Sequence, residues 1–188
     1  MKTYPINLIG LETRRCVVVG GGAVAARKLA GLLAAGARVT VISPELSTEV
    51  ESRAAERQIT VLRRAYEPGD LSGAFLVIAA TDDPPANAAV WEEARQLGCL
   101  INAVDDPAHS NFILPAVVRR GEVNLAISTG GASPTLARRL REQLETQVGP
   151  EYGDLAGLMA ELRPEIMPPP KPRTPTMPSC FQWPTLSR

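Results

Sequence analysis

Aromatic residues make up only 4% of this 188-residue chain, histidine occurs once, cysteine three times, and 20 basic side chains are cancelled by 20 acidic ones. Each scarcity excludes something. Cys16, Cys99 and Cys180 are widely spaced and form no C-x-x-C pair, which fits neither a disulfide framework nor a zinc site. His109 has no ligand-spaced partner, so no metal site is expected and a surface-loop role is favoured for it. A formal net charge of zero argues against a general nucleic-acid or membrane-surface binder. No apolar run reaches membrane-spanning length. The start, Met1-Lys2-Thr3-Tyr4-Pro5, shows no separate apolar region with a cleavage site, so a cytoplasmic protein is expected.

Apolar residues, by contrast, reach 45%, enough for one good core and a small appendage. The most informative stretch is Cys16-Val17-Val18-Val19-Gly20-Gly21-Gly22-Ala23-Val24-Ala25, where a β-branched run breaks into glycines and resumes as an Ala-rich helix. Gly20, Gly22 and Ala25 fill a G-x-G-x-x-A pattern, the fingerprint of a dinucleotide pyrophosphate site. Gly20 allows the tight turn, Gly22 the close approach of backbone to phosphate, and Ala25 the close packing of helix on sheet. Gly20, Gly22, Ala23, Val24 and Ala25 are therefore expected at the cofactor, with the helix N-terminus facing the anion.

Context supports this reading. A strand over 15–19, a helix over 23–35 stopped by Gly36, and a strand over 38–42 make one βαβ unit. Thr48-x-x-Glu51 suggests a capping box opening a helix to about Arg57. Strands over 59–62, 75–79 and 100–104 follow, with a helix over 85–97 closed by Gly98. The alternation predicts an α/β fold with a Rossmann-like, doubly wound parallel sheet over residues 1–111. The pattern then changes. Runs over 112–118 and 123–128 joined by Arg119-Arg120-Gly121-Glu122 predict a hairpin, and Ser133-Pro134 opens a helix to about Thr146 with Ser133 as its cap. Residues 112–149 thus form a small second α+β module, and 150–166 a helical C-terminal segment with a helix over 152–162. A Pro-rich tail over 167–188 is expected to be unstructured or extended.

Asp105 stands at the carboxyl end of a predicted parallel strand, where open α/β sheets place ligands, but aspartate is also favoured in an Asp-Asp-Pro turn. Position alone leaves both readings open. Past strand two the chain reads Ile42-Ser43-Pro44-Glu45, so the acid that often receives ribose hydroxyls is late or absent, and no arginine follows immediately for a 2′-phosphate. Ser43, Pro44 and Glu45 are expected to line the adenosine ribose, and Thr81 and Asp82 the nicotinamide side. Thr129, Gly130 and Gly131 could make a second backbone anion site, with Ser128 and Thr129 adding hydroxyls. Arg119, Arg120, Arg138, Arg139 and Arg141 face only Glu122 and Glu142 in their window, and guanidinium forks suit carboxylates.

Taken in order, the glycine loop with Arg27-Lys28, Ala79-Ala80-Thr81-Asp82-Asp83, Asn102-x-x-Asp105, Phe112-x-x-Pro115-Ala116 and Ser128-Thr129-Gly130-Gly131-x-Ser133-Pro134-x-Leu136-Ala137-Arg138 resemble the precorrin-2 dehydrogenase family of siroheme synthesis. The resemblance covers roughly residues 3–163. It implies oxidation of the tetrapyrrole precorrin-2 to sirohydrochlorin with NAD, Asp105 as general base, and Ser128, Thr129, Gly130, Gly131 and Arg138 at the substrate. It also implies that residues 112–149 are a dimerisation and substrate module, interlocking two subunits in a homodimer. Two further readings stay in play: a bifunctional enzyme that also inserts ferrous iron, and a non-catalytic NAD-sensing module. The Pro-rich tail departs from the family's longer helical ending.

Overall fold

The computed structural model describes residues 2–166, and the expectation for the tail over 167–188 lies outside the described residues. Five parallel strands, β1 (Arg15–Val19), β2 (Arg38–Ile42), β3 (Thr60–Leu62), β4 (Ala74–Ala79) and β5 (Leu100–Ala103), lie in the order β3-β2-β1-β4-β5. Helices α1 (Ala23–Ala34), α2 (Thr48–Ala55) and α3 (Pro84–Leu97) are the crossovers. This is the doubly wound sheet that the alternating pattern predicts.

Side-chain alternation along β1 divides the core in two. Cys16 and Val18 pack with Ala25, Ala26 and Leu29 of α1 and Val50 of α2, whereas Val17 and Val19 pack with Val90 and Ala94 of α3. A strand covered on both faces must be apolar at every position, which is why β1 and β4 read as unbroken runs. The strand order reverses between β1 and β4, so their carboxyl ends diverge and leave a crevice.

Some boundaries differ from expectation for identifiable reasons. Thr48 is the first residue of α2, preceded by an extended Ser47, and among the described residues no side chain caps this helix. The capping box does not form: the helix starts one residue early, so Thr48 is already helical, and the Glu51 carboxylate binds Arg63. The strand expected from residue 112 begins only at Ala116. Pro115 has no N–H for a ladder, and the Phe112 carbonyl accepts from Asn102 Nδ2 at 3.1 Å.

By internal contacts the chain divides into one unit of Met1–Ala116 with Ile127–Leu140 and a second of Val117–Ala126 with the residues from Arg141 onward. The second is thin. β6 (Ala116–Arg120) and β7 (Val123–Ile127) pair as a two-stranded sheet across a two-residue connection, which makes them antiparallel. α4 (Pro134–Gln147) ends with its last carbonyls held by a side chain: Arg120 Nε donates to Val148 O and Nη2 to Glu145 O, both at 2.9 Å. α5 (Glu151–Ile166) starts so close to the hairpin that a Cβ on Gly153 would lie 2.7 Å from the Arg120 carbonyl oxygen. It runs on through Pro164 instead of ending there. The fixed φ of proline suits a helix, and the carbonyl left unpaired, that of Ala160, belongs to an exposed residue that water can serve.

Candidate functional site

The crevice at the switch point is a cleft of about 600 Å³. Gly20, Gly22, Ala23 and Val24 reach it from the glycine loop, Ser43, Pro44 and Glu45 from the end of β2, and Thr81 and Asp82 from the end of β4. These are the residues expected at the cofactor. Ala25, the remaining one, lies outside the lining and is fully buried in the core. Its small side chain acts indirectly, by letting α1 sit close on the sheet.

Each glycine has its own reason. Gly20 adopts φ +116°, and a Cβ there would stand 2.2 Å from the Ala80 carbonyl oxygen. On Gly21 a Cβ would meet the Glu45 carbonyl oxygen at 2.2 Å, because the Gly21 carbonyl accepts from the Ser47 amide at 2.8 Å and ties the loop to α2. A Cβ on Gly22 would meet nothing within 4 Å: it would project into open space at the start of α1. No side chain among the described residues caps α1. Its first N–H groups and its dipole therefore suit an anion brought close to the backbone. Ser47, also in the lining, has a buried hydroxyl that finds no hydrogen-bond partner among the described residues. Together these features fit a dinucleotide with its pyrophosphate on the glycine loop.

On the β2 side of the cleft, tertiary structure brings up residues that a linear reading misses: Tyr66 in the lining, and Arg63 and Arg64 just outside it. The β2–β3 register pairs Ile42 with Leu62, and the Leu62 carbonyl accepts from the amides of Ser43 (3.1 Å) and Arg64 (3.0 Å). Arg63 is thus brought beside Ser43, although β2 itself carries no arginine there. Arg63 is held by both Glu51 carboxylate oxygens at 2.5 and 2.7 Å, and Arg64 by both of Asp70 at 2.7 and 2.6 Å. The Ser43 hydroxyl donates to its own loop at Glu45 O, 2.6 Å away. Tyr66, in the lining, donates its hydroxyl to Glu93, and burial together with that carboxylate pushes the phenol well above its ordinary range. Nothing in the sequence pattern marked Tyr66, Arg63 or Arg64.

Asp105 lies outside the cleft lining, exposed, two residues past β5. It adopts φ +58°, a left-handed conformation that aspartate tolerates better than most residues. The loop around it is pinned. The Val104 amide donates to Ala79 O (2.9 Å), the Ala103 amide to Ser110 Oγ (2.9 Å), and Asn111 bridges Ile101 N–H (2.7 Å) and Cys99 O (2.8 Å). Burial first and Arg27 second push the half-buried Lys28 ammonium of α1 down, and the Asp105 carboxylate opposes them. Asp106 performs the local turn chemistry instead: it accepts from His109 N–H and lies 2.5 Å from His109 Nδ1, which holds its carboxyl below the usual range. His109 is an exposed residue packed edge-on against Trp91. Among the described residues no group of three potential ligands could hold a metal ion.

The Ser128–Ser133 segment is a self-braced turn. Thr129 Oγ1 accepts from Ser133 N–H and donates to Ser133 O, both at 3.0 Å, and Ser128 Oγ accepts from Gly130 N–H at 3.2 Å. Gly130 and Gly131 take φ +62° and +82°. Ser133 Oγ accepts from Leu136 N–H at 3.2 Å, the cap that the sequence predicts for α4. Of the arginine window, Arg120 is committed to backbone carbonyls, and Arg141 pairs with Glu145 at 3.0 Å.

Comparison with known proteins agrees with this arrangement. An NAD(P)-binding family model matches residues 8–116, and a model for the sirohaem biosynthesis protein central region matches 120–147. The chain is 46% identical over 166 residues to a siroheme synthase of Methylobacillus flagellatus, covering 88% of this chain and 35% of that protein. It is 45% identical over 153 residues to siroheme synthase 2 of Aeromonas hydrophila, covering 81% and 32%. It therefore spans about a third of the length of these relatives. A solved structure of SirC, a precorrin-2 dehydrogenase, matches with a TM-score of 0.71 and 35% identity, over 87% of this chain and 79% of that one. NAD is the cofactor that the glycine loop and these relationships indicate. With both modules matched in order and the fold shared, the chain belongs to the precorrin-2 dehydrogenase family.

Proposed function

We propose that this chain oxidises precorrin-2 to sirohydrochlorin with NAD in siroheme biosynthesis, as a homodimer in the cytoplasm. The observation that carries the reading is the juxtaposition, on adjacent strand ends of one sheet, of a dinucleotide cleft and a pinned loop presenting one carboxylate. NAD bound in the cleft supplies the hydride acceptor. Gly22 keeps the backbone clear for its pyrophosphate, and Thr81, whose hydroxyl is fixed by the Asp83 amide at 2.8 Å, shapes the nicotinamide side. Dehydrogenation removes a hydride and a proton from the ring. Asp105 takes the proton on a carboxylate oxygen. Ser128, Thr129, Gly130, Gly131 and Arg138 face the acidic substrate, the first four on a turn ahead of α4 that its own hydrogen bonds hold in shape.

Two features support the dimer. A lone two-stranded sheet is marginal in water. α5 also exposes Leu155, Leu158, Met159, Leu162 and Ile166 at helical spacing, an apolar stripe that a second subunit would cover. No helix among the described residues is long and apolar enough to cross a membrane.

The test mixes purified protein with precorrin-2 and NAD and follows NADH absorbance, with and without ferrous iron. Asp105→Asn keeps the carboxylate's shape and its turn preference, so it is expected to hold its melting temperature while turnover falls about 100-fold or more. Full NAD-dependent turnover by that variant would remove Asp105 from the mechanism. NAD binding without any turnover by the native chain would favour a sensing module.

A further inference from the structure

We infer that Glu51 is a specificity-determining residue: by holding Arg63 in a two-pronged ion pair, it withholds from the adenosine end of the cleft the cation that a 2′-phosphate would need. The inference rests on the NAD-binding reading and deepens it. In dinucleotide folds the residue ending the second strand meets the adenosine ribose, where an acid selects NAD and a nearby arginine accepts the 2′-phosphate of NADP. Here that residue is Ser43, whose hydroxyl is turned onto Glu45 O at 2.6 Å, so it gives neither signal. The deciding charge comes from the neighbouring strand. Leu62 is the register partner of Ile42, and its carbonyl binds the Ser43 amide, which places Arg63 next to Ser43 across the ladder.

Arg63 is not available as it stands. Both terminal nitrogens bind Glu51, at 2.5 and 2.7 Å, so the end-on fork is occupied and its positive charge is already paired with a carboxylate. Glu51 is one turn along α2 from Ser47, which lines the cleft, and the Glu51 amide donates to the Ser47 carbonyl at 2.9 Å. Glu51 and Arg63 lie outside the lining itself, one helical turn beyond Ser47 and one residue beyond the register partner of Ile42, which does line it. Arg64 is a different case: it binds Asp70 and also donates to Ala65 O at 2.9 Å, while Asp70 accepts from Glu67 N–H, so this pair braces the turn that follows β3. The Arg63–Glu51 pair is well exposed, at 56% and 42%, and bridges only these two side chains. Exposed pairs of this kind contribute little to stability, so the pair can be opened without unfolding the chain.

The experiment titrates the full chain separately with NAD and NADP by calorimetry. Native protein is expected to bind NAD at least about tenfold more tightly than NADP. Glu51→Gln should tighten NADP about tenfold, the value of one charge-assisted contact, and leave NAD within about twofold. Arg63→Ala alone should leave NADP as weak as in the native protein, and adding it to Glu51→Gln should erase the gain. Glu51→Ser, with circular dichroism confirming the fold, repeats the test with a shorter side chain. Unchanged NADP affinity in both Glu51 variants, or equal tightening of NAD, overturns the inference while NAD binding still stands. Failure of the native chain to bind NAD defeats the underlying reading instead.

Discussion

Gly20 and Gly22 differ by two positions and serve separate purposes, which single methyl groups can separate. A Cβ on Gly20 would collide with the Ala80 carbonyl and force φ +116° on a residue that avoids it. Gly20→Ala is expected to destabilise the fold by about 3 kcal/mol, lowering the melting temperature by roughly 10 °C. A Cβ on Gly22 meets no protein atom, so Gly22→Ala should melt within about 2 °C of the native chain. It would nevertheless fill the space through which pyrophosphate approaches α1, and NAD affinity should drop about tenfold or more in a calorimetric titration. Equal melting losses for the two would contradict this division of labour. Cys16 makes a third residue-scale point: fully buried, its thiol is pushed up to about 11, so thiol reagents near neutral pH should label it only on unfolding.

At the scale of elements, the turn after β3 is held by carboxylates. Asp70 binds the Arg64 fork and the Glu67 amide, and Glu93 of α3 receives the Gly69 and Leu71 amides and the Tyr66 hydroxyl. The hydrogen bonds from Arg64 hold the Asp70 carboxyl below its ordinary value. For a group whose folded pKa is depressed, the stabilisation is complete above the unfolded value, near pH 4, and is lost as the pH falls toward the folded one. The native melting temperature should therefore fall on acidification below about pH 4 more steeply than that of Asp70→Asn. Parallel curves from scanning calorimetry would show that the pair contributes nothing. Because Tyr66 lines the cleft, the same variant should loosen NAD binding at neutral pH.

At the scale of the molecule, the two units differ in how much they bury. The sheet and its helices enclose two apolar layers, whereas the hairpin contributes Val118 as its buried apolar residue and α5 contributes none. A chain so arranged should associate, and sedimentation at micromolar concentration is expected to give a dimer. Leu158→Glu with Leu162→Glu, placing charges on the exposed stripe of α5, should yield monomers while NAD binding persists. A native chain that sediments as a monomer would remove the dimer from the proposal.

Local sequence was enough for the elements and for the pyrophosphate loop. Strand β1, the turn at Gly20, the packing of Ala25 and the Ser133 cap each depend on residues a few positions apart, and steric rules act at that range. Resemblance across ordered motifs carried the family. Local rules failed where a distant partner competed: Glu51 left its expected cap for Arg63 twelve residues on, and Phe112 gave its carbonyl to Asn102 in place of a strand. The charge at the adenosine end was decided in three dimensions as well, because parallel pairing sets Arg63 beside Ser43 and helix packing then brings Glu51 to that arginine. Sequence spacing determines what a segment can form alone; which side chains meet across the ladder depends on register and packing, and those exist only once the sheet is assembled.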